Sequence, residues 1–115
     1  MIDIAYYQKE NGRYPVRDFI NNLPVALQSK TQVYLGMLAR AGSGLRMPYS
    51  RHLADGIFEL RISRNEMTIR ILYFFNEGNA VLTNGFVKKS KTTPLLHLKR
   101  AEAHKAAYLR ERNQQ

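Results

Sequence analysis

The sequence predicts an α+β fold: an N-terminal strand, a helix pair, an antiparallel meander sheet and a C-terminal helix, in a single domain over residues 1–115. Three observations carry this prediction. Pro15 and Pro24 each open a stripe of apolar residues at helical spacing. A period of two takes over at Phe58, and a third helical stripe follows Pro94.

Each element has its own signal. Ile2 to Tyr7 is apolar and aromatic, as a short strand requires, and Lys9-Glu10-Asn11-Gly12-Arg13 breaks it. Pro15 sits at a first helical position, with Val16, Phe19, Ile20 and Leu23 behind it. Pro24 opens the second helix, whose stripe of Leu27, Thr31, Tyr34, Leu35 and Leu38 ends at Gly42-Ser43-Gly44. Residues 41 to 51 hold two glycines and Pro48 and read as a loop. Phe58, Leu60 and Ile62 then alternate with Glu59, Arg61 and Ser63 in a half-buried strand. Met67 to Phe75 is apolar apart from Thr68 and Arg70, which suits a central strand. Asn76-Glu77-Gly78-Asn79 is a hairpin signal, and Ala80 to Val87 returns as the next strand. Thr92-Thr93-Pro94 starts the last helix, with a weaker stripe of Leu95, Leu98, Ala101, Ala106, Tyr108 and Leu109.

Composition narrows the setting. At 115 residues and 44% hydrophobic, the chain can bury a core without cross-links. It has no cysteine, which excludes disulfides and thiolate metal sites and points to a reducing cytoplasm. No apolar run approaches the roughly 18 residues that span a bilayer. The opening Met1-Ile2-Asp3-Ile4 lacks the basic-then-apolar layout of a signal peptide and reads as a first strand. No membrane partner is expected.

Charge is the most unusual property. Lys and Arg total 18 against 9 for Asp and Glu, giving +9 and a pI near 10.1. Such a field attracts nucleic acid, anionic membranes or an acidic protein partner, and RNA is the partner expected. From Gly78 to Arg100 there is no acid at all, while Lys88, Lys89, Lys91, Lys99 and Arg100 all fall there. A solvated charged face usually mixes signs.

Arg61 and Arg70 each interrupt an apolar strand. If the strands are hairpin neighbours, both guanidiniums emerge on the face away from the helices, where two fixed forks suit a phosphate. The competing role for either is an ion pair with Glu59 or Glu66 on the sheet. Lys88-Lys89-Ser90-Lys91 follows the third strand of the meander and adjoins Arg70 if the strands pair in order. A lysine crowded by cations has its ammonium disfavoured and can serve as a base. Such groups could activate a ribose 2′-hydroxyl against its own phosphate; the competing role is a solvated, phosphate-tracking patch. Alternation does not say whether Lys88 or Lys89 faces the site. Arg51, His52, Arg64, Lys91 and His97 are further candidate RNA contacts. No metal site or cofactor is expected: the acids are scattered, and His97 and His104 stand seven apart. No phosphate-cradling Gly-rich loop or Ser/His/Asp set appears. Tyr73, Phe74, Phe75 and Phe86 read as core.

Three motifs order the second half of the chain: Asp55-Gly56-Ile57-Phe58-Glu59-Leu60-Arg61, Arg70-Ile71-Leu72-Tyr73, and Gly85-Phe86-Val87-Lys88-Lys89-Ser90-Lys91-Thr92-Thr93-Pro94. In this order behind a helix pair, the chain resembles the phage-derived HigB-like branch of the RelE toxin superfamily across roughly residues 2 to 110. The resemblance implies the toxin of a type II toxin–antitoxin pair, which cleaves mRNA in the ribosomal A site through a basic, metal-free site and also meets ribosomal RNA. It implies silencing by a cognate antitoxin, commonly a helix-turn-helix protein. Carried over by motif, Arg61, Arg70, Lys88 and Lys89 would be catalytic. The RelE type has a catalytic tyrosine in its C-terminal segment; here Thr93-Pro94-Leu95-Leu96-His97 has none, leaving Lys88, Lys89 or His97 as the base. Two rivals are a noncatalytic inhibitor of DNA gyrase, as in the related ParE toxins, and a plain RNA-binding module.

Overall fold

A computed structural model describes residues 1–114. The order is β1 (Ile4–Tyr6), α1 (Pro15–Asn21), α2 (Val25–Ala41), a 3-10 turn (Gly42–Gly44), β2 (Ser50–Ala54), β3 (Ile57–Arg64), β4 (Met67–Asn76), β5 (Asn79–Val87) and α3 (Leu95–Asn113). The strands form one sheet in the order β1-β5-β4-β3-β2. β1 runs parallel to β5, and every other pairing is antiparallel. This is the expected α+β architecture, compatible with a RelE-like fold.

The helices lie on both faces of the sheet. Val16, Ile20, Leu27, Leu35 and Leu38 of α1 and α2 pack on Leu60, Ile62, Ile69, Ile71, Tyr73 and Leu82. On the opposite face Ile57, Leu72, Phe74, Val81 and Phe86 meet α3 through Leu98, Ala101 and Tyr108. Tyr73, Phe74 and Phe86 are buried and Phe75 is partly so, as read from the sequence.

Two elements differ from the sequence reading. β2 occupies the end of the expected loop and adds a fourth strand to the meander. Its apolar content is low, and Arg51 and His52 are exposed, as suits a short edge strand. In α3 the buried line runs through Leu98, Ala101 and Tyr108, so Leu95 and Ala106 are exposed on its flank.

Glycine is required at one core position. A Cβ on Gly85 would stand 2.4 Å from Cδ2 of Phe19, because the α1 ring lies against the β5 backbone. Gly85→Ala is therefore expected to destabilise the fold by about 1–3 kcal/mol. Denaturant unfolding should register this loss, and Phe19→Leu should restore part of it in the double variant.

Candidate functional site

Alternation along β3 sends Glu59 and Arg61 to the α3 side, and the register sets Arg61 directly opposite Arg70 on β4. The two guanidiniums do share a face. It is not free of helices, however, because α3 packs farther along it, and Arg70 does not project outward: only 5% of it is exposed.

The cause of Arg70's burial is Glu59, which is fully buried. Oε1 of Glu59 lies 3.2 Å from Nη2 of Arg51, 3.5 Å from Nη1 of Arg61 and 3.5 Å from Nε of Arg70. Its Oε2 accepts a 2.7 Å hydrogen bond from the Thr93 hydroxyl. A buried carboxylate needs such partners to stay ionised. The ion pair with Glu59 is thus present, and one acid holds three arginines in a row across β2, β3 and β4. Side-chain exposure is graded from 6% at Arg70 through 27% at Arg61 to 44% at Arg51. The guanidinium held deepest therefore ends the row on β4, and exposure rises strand by strand toward Arg51 on β2. Glu66, the other acid considered for these arginines, is exposed in the β3–β4 turn and forms no salt bridge among the described residues.

A bulge in β5 decides which lysine joins them. Leu72 pairs with Asn84 and Tyr73 with Leu82, leaving Thr83 as the extra residue. Unbroken alternation from Leu82 would send Lys88 to the α1–α2 face. The inserted Thr83 reverses the parity, so Asn84, Phe86 and, one ladder step on, Lys88 face the arginines. The Lys88 N–H continues the ladder onto the Thr68 carbonyl at 2.8 Å. Burial pushes the Lys88 ammonium below its ordinary pKa; Glu59 opposes this, while Arg70, Arg51 and Arg61 reinforce it. Burial likewise lowers Arg70, against the pull of Glu59.

The bulge also anchors α3. The single proton of the Thr83 hydroxyl has two acceptors in reach, Oδ1 of Asn84 at 2.7 Å and the Leu72 carbonyl at 3.1 Å, and Nδ2 of Asn84 donates to the His97 carbonyl. His97 then stacks on Phe86 with centroids 3.9 Å apart and planes within 2°. Burial, followed by Arg100, lowers the His97 pKa, and its buried Nδ1 has no hydrogen-bond partner among the described residues. The first turn of α3 has no acid, so its positive dipole end adds to the field here.

The other predicted contacts lie apart from this cluster. His52 is on the α1–α2 face, edge-on to Phe58, and its Nε2 accepts the Gly56 N–H. Arg64 ends β3 in an exposed position. Lys89 and Lys91 are exposed in the segment between β5 and α3, with no hydrogen bond or salt bridge among the described residues. A cleft of about 920 Å³ lies at the other end of α3 between Lys9, Glu10, Arg110 and Glu111, and holds none of the site residues. No group of three or more His, Cys, Asp or Glu side chains converges to hold a metal ion among the described residues. No helix among them is long and apolar enough to cross a membrane.

The sequence marks Glu59 only as an ion-pair partner and gives Thr93 no signal of its own. Both lie inside quoted motifs, but their connection spans 34 residues of chain.

What the site offers is a surplus of positive charge on fixed supports: Arg51, Arg61, Arg70 and Lys88 surround one carboxylate. This constellation can bind an anion and stabilise charge that develops on it. No curated protein matches the chain. The profile of one family does, described as phage derived protein Gp49-like (DUF891), and it matches residues 18–106, which include all four cations, Glu59 and Thr93. The chain belongs to this Gp49-like family, a toxin-like family associated with toxin–antitoxin systems.

Proposed function

We propose that the protein is the toxin of a type II pair and cuts mRNA in the ribosomal A site with its own side chains, in the manner of RelE-like and HigB-like toxins. The observation that carries this reading is the set of three arginines fixed on buried Glu59 beside Lys88. The family implies an antitoxin partner, and we take that partner to be a helix-turn-helix protein encoded with the toxin.

In the proposed reaction Arg51, Arg61 and Arg70 hold the scissile phosphate. Neutral Lys88 accepts the proton of the adjacent 2′-hydroxyl. The 2′-oxygen bonds to phosphorus and the bond to the 5′-oxygen breaks, leaving a 2′,3′-cyclic phosphate. The departing oxygen takes a proton from solvent. The arginines stabilise the extra negative charge of the pentacoordinate phosphorus. Glu59 is a positioning residue, because its oxygens are already engaged by the arginines and Thr93.

Inducing the protein and mapping mRNA ends on ribosomes tests the function. Breaks within translated codons are expected. Intact transcripts together with a gyrase-linked DNA damage response would instead support a ParE-like inhibitor. Salt-dependent RNA binding without growth arrest would support a binding module.

The lowered Lys88 pKa gives a signed pH prediction. Cleavage should rise with pH as the ammonium loses its proton, with a midpoint below the ordinary lysine value. Lys88→Arg should remove that limb and slow cleavage by roughly 10²–10⁴-fold. An unchanged pH profile in Lys88→Arg would move the base elsewhere, first to Lys89 or His97.

A further inference from the structure

β2 pairs with β3 only as far as Ser50 opposite Leu60, so among the described residues the β3 edge from Ile62 to Arg64 has no strand beside it. A cleft of about 220 Å³ opens there, lined by Lys30, Tyr34, Pro48, Tyr49, Arg61, Ser63 and Arg70. Two of these residues are the strand arginines of the site already described. The others bring aromatic walls, one cation and an open strand edge.

Tyr34, from α2, and Tyr49, just ahead of β2, meet edge to face with centroids 5.7 Å apart and planes at 73°. They form a corner, so a flat ring laid on one tyrosine presents its edge to the other. Tyr49 is 37% exposed although aromatic, and its carbonyl is fixed by the Arg61 N–H at 2.8 Å. The Lys30 ammonium lies 5.7 Å from the Tyr34 ring centroid and donates to the Ser63 carbonyl. Ladder alternation turns the Ser63 N–H toward the same uncovered edge, where it can donate to a heteroatom. The volume is below the roughly 300–1,000 Å³ of pockets that enclose a drug-sized ligand, so it suits one ring system rather than a whole nucleotide.

We propose that this cleft is a nucleobase subsite: one base of the RNA stacks in the Tyr34–Tyr49 corner while its phosphate lies on Arg61 and Arg70. The inference rests on the phosphate-binding role given to those arginines and adds the part of the substrate that a phosphate site alone does not read. Stacking on tyrosine is tolerant of sequence, whereas the Ser63 N–H and the Lys30 ammonium favour a base edge rich in acceptors.

Calorimetric titration of the whole protein with adenosine, adenosine 5′-monophosphate and ribose 5-phosphate tests it. The monophosphate should bind about tenfold more tightly than ribose 5-phosphate, the size of one base–aromatic stack. Tyr49→Ala should bring the monophosphate down to the ribose phosphate and leave the latter unchanged; Tyr49→Phe should retain the difference. Equal affinities in the wild type, or equal losses for both phosphates in Tyr49→Ala, would overturn the subsite. Adenosine binding that depends on Tyr49, with no gain from the phosphate, would uphold the base pocket and overturn the arginine site instead.

Discussion

Arg70→Lys is expected to lower RNA cleavage and growth arrest by roughly 10²–10³-fold, the cost of removing one preorganised donor from a transition-state site, while the protein stays folded. Arg70 stands at the β4 end of the row, opposite Arg61, with Nη1 on the Ile69 carbonyl and Nε toward Glu59. Lysine keeps the charge that Glu59 needs but loses the planar fork, so it separates geometry from electrostatics. Arg70→Ala is a poorer probe than an outward arginine would allow. It removes a buried side chain and one of the three cations on a buried carboxylate, so part of its effect is unfolding. Full toxicity of Arg70→Lys at wild-type expression would place the chemistry elsewhere.

The second large effect is on stability. Glu59→Ala should cost about 3–5 kcal/mol, because it leaves the Arg70 guanidinium buried without its counter-charge and Arg51 and Arg61 close beside it. Glu59→Gln keeps the shape and one acceptor oxygen, so its loss should be smaller. Added phosphate distinguishes this account from simple misfolding. With Glu59 neutral the arginines are a stronger anion trap, and millimolar phosphate should raise the Tm of Glu59→Gln more than that of the wild type. A Tm that ignores phosphate in both proteins would contradict anion binding at the cluster.

The fold was largely legible because its signals are local. Pro15 and Pro24 preset helix starts, and alternation from Phe58 to Ile62 fixes the core face of β3. β2 was not legible because Ser50, Arg51 and His52 lack the apolar pattern by which a strand is recognised; an edge position relieves them of it. The site was legible as a set of cations and illegible in its organisation. Alternation marks Glu59 as an outward polar residue, yet it is the buried centre of the cluster. Nothing local announces the extra residue at Thr83, although it alone turns Lys88 rather than Lys89 toward Arg70. Thr93 reaches Glu59, and Tyr34 meets Tyr49, only because the sheet and helices bring distant segments together.

A crystal structure with a 2′-deoxy dinucleotide, which lacks the attacking hydroxyl, tests the site most directly. Its phosphate should lie between Arg61 and Arg70, with the Lys88 nitrogen on the side of the missing 2′-oxygen. A phosphate bound elsewhere, with the arginines still closed on Glu59 alone, would contradict it.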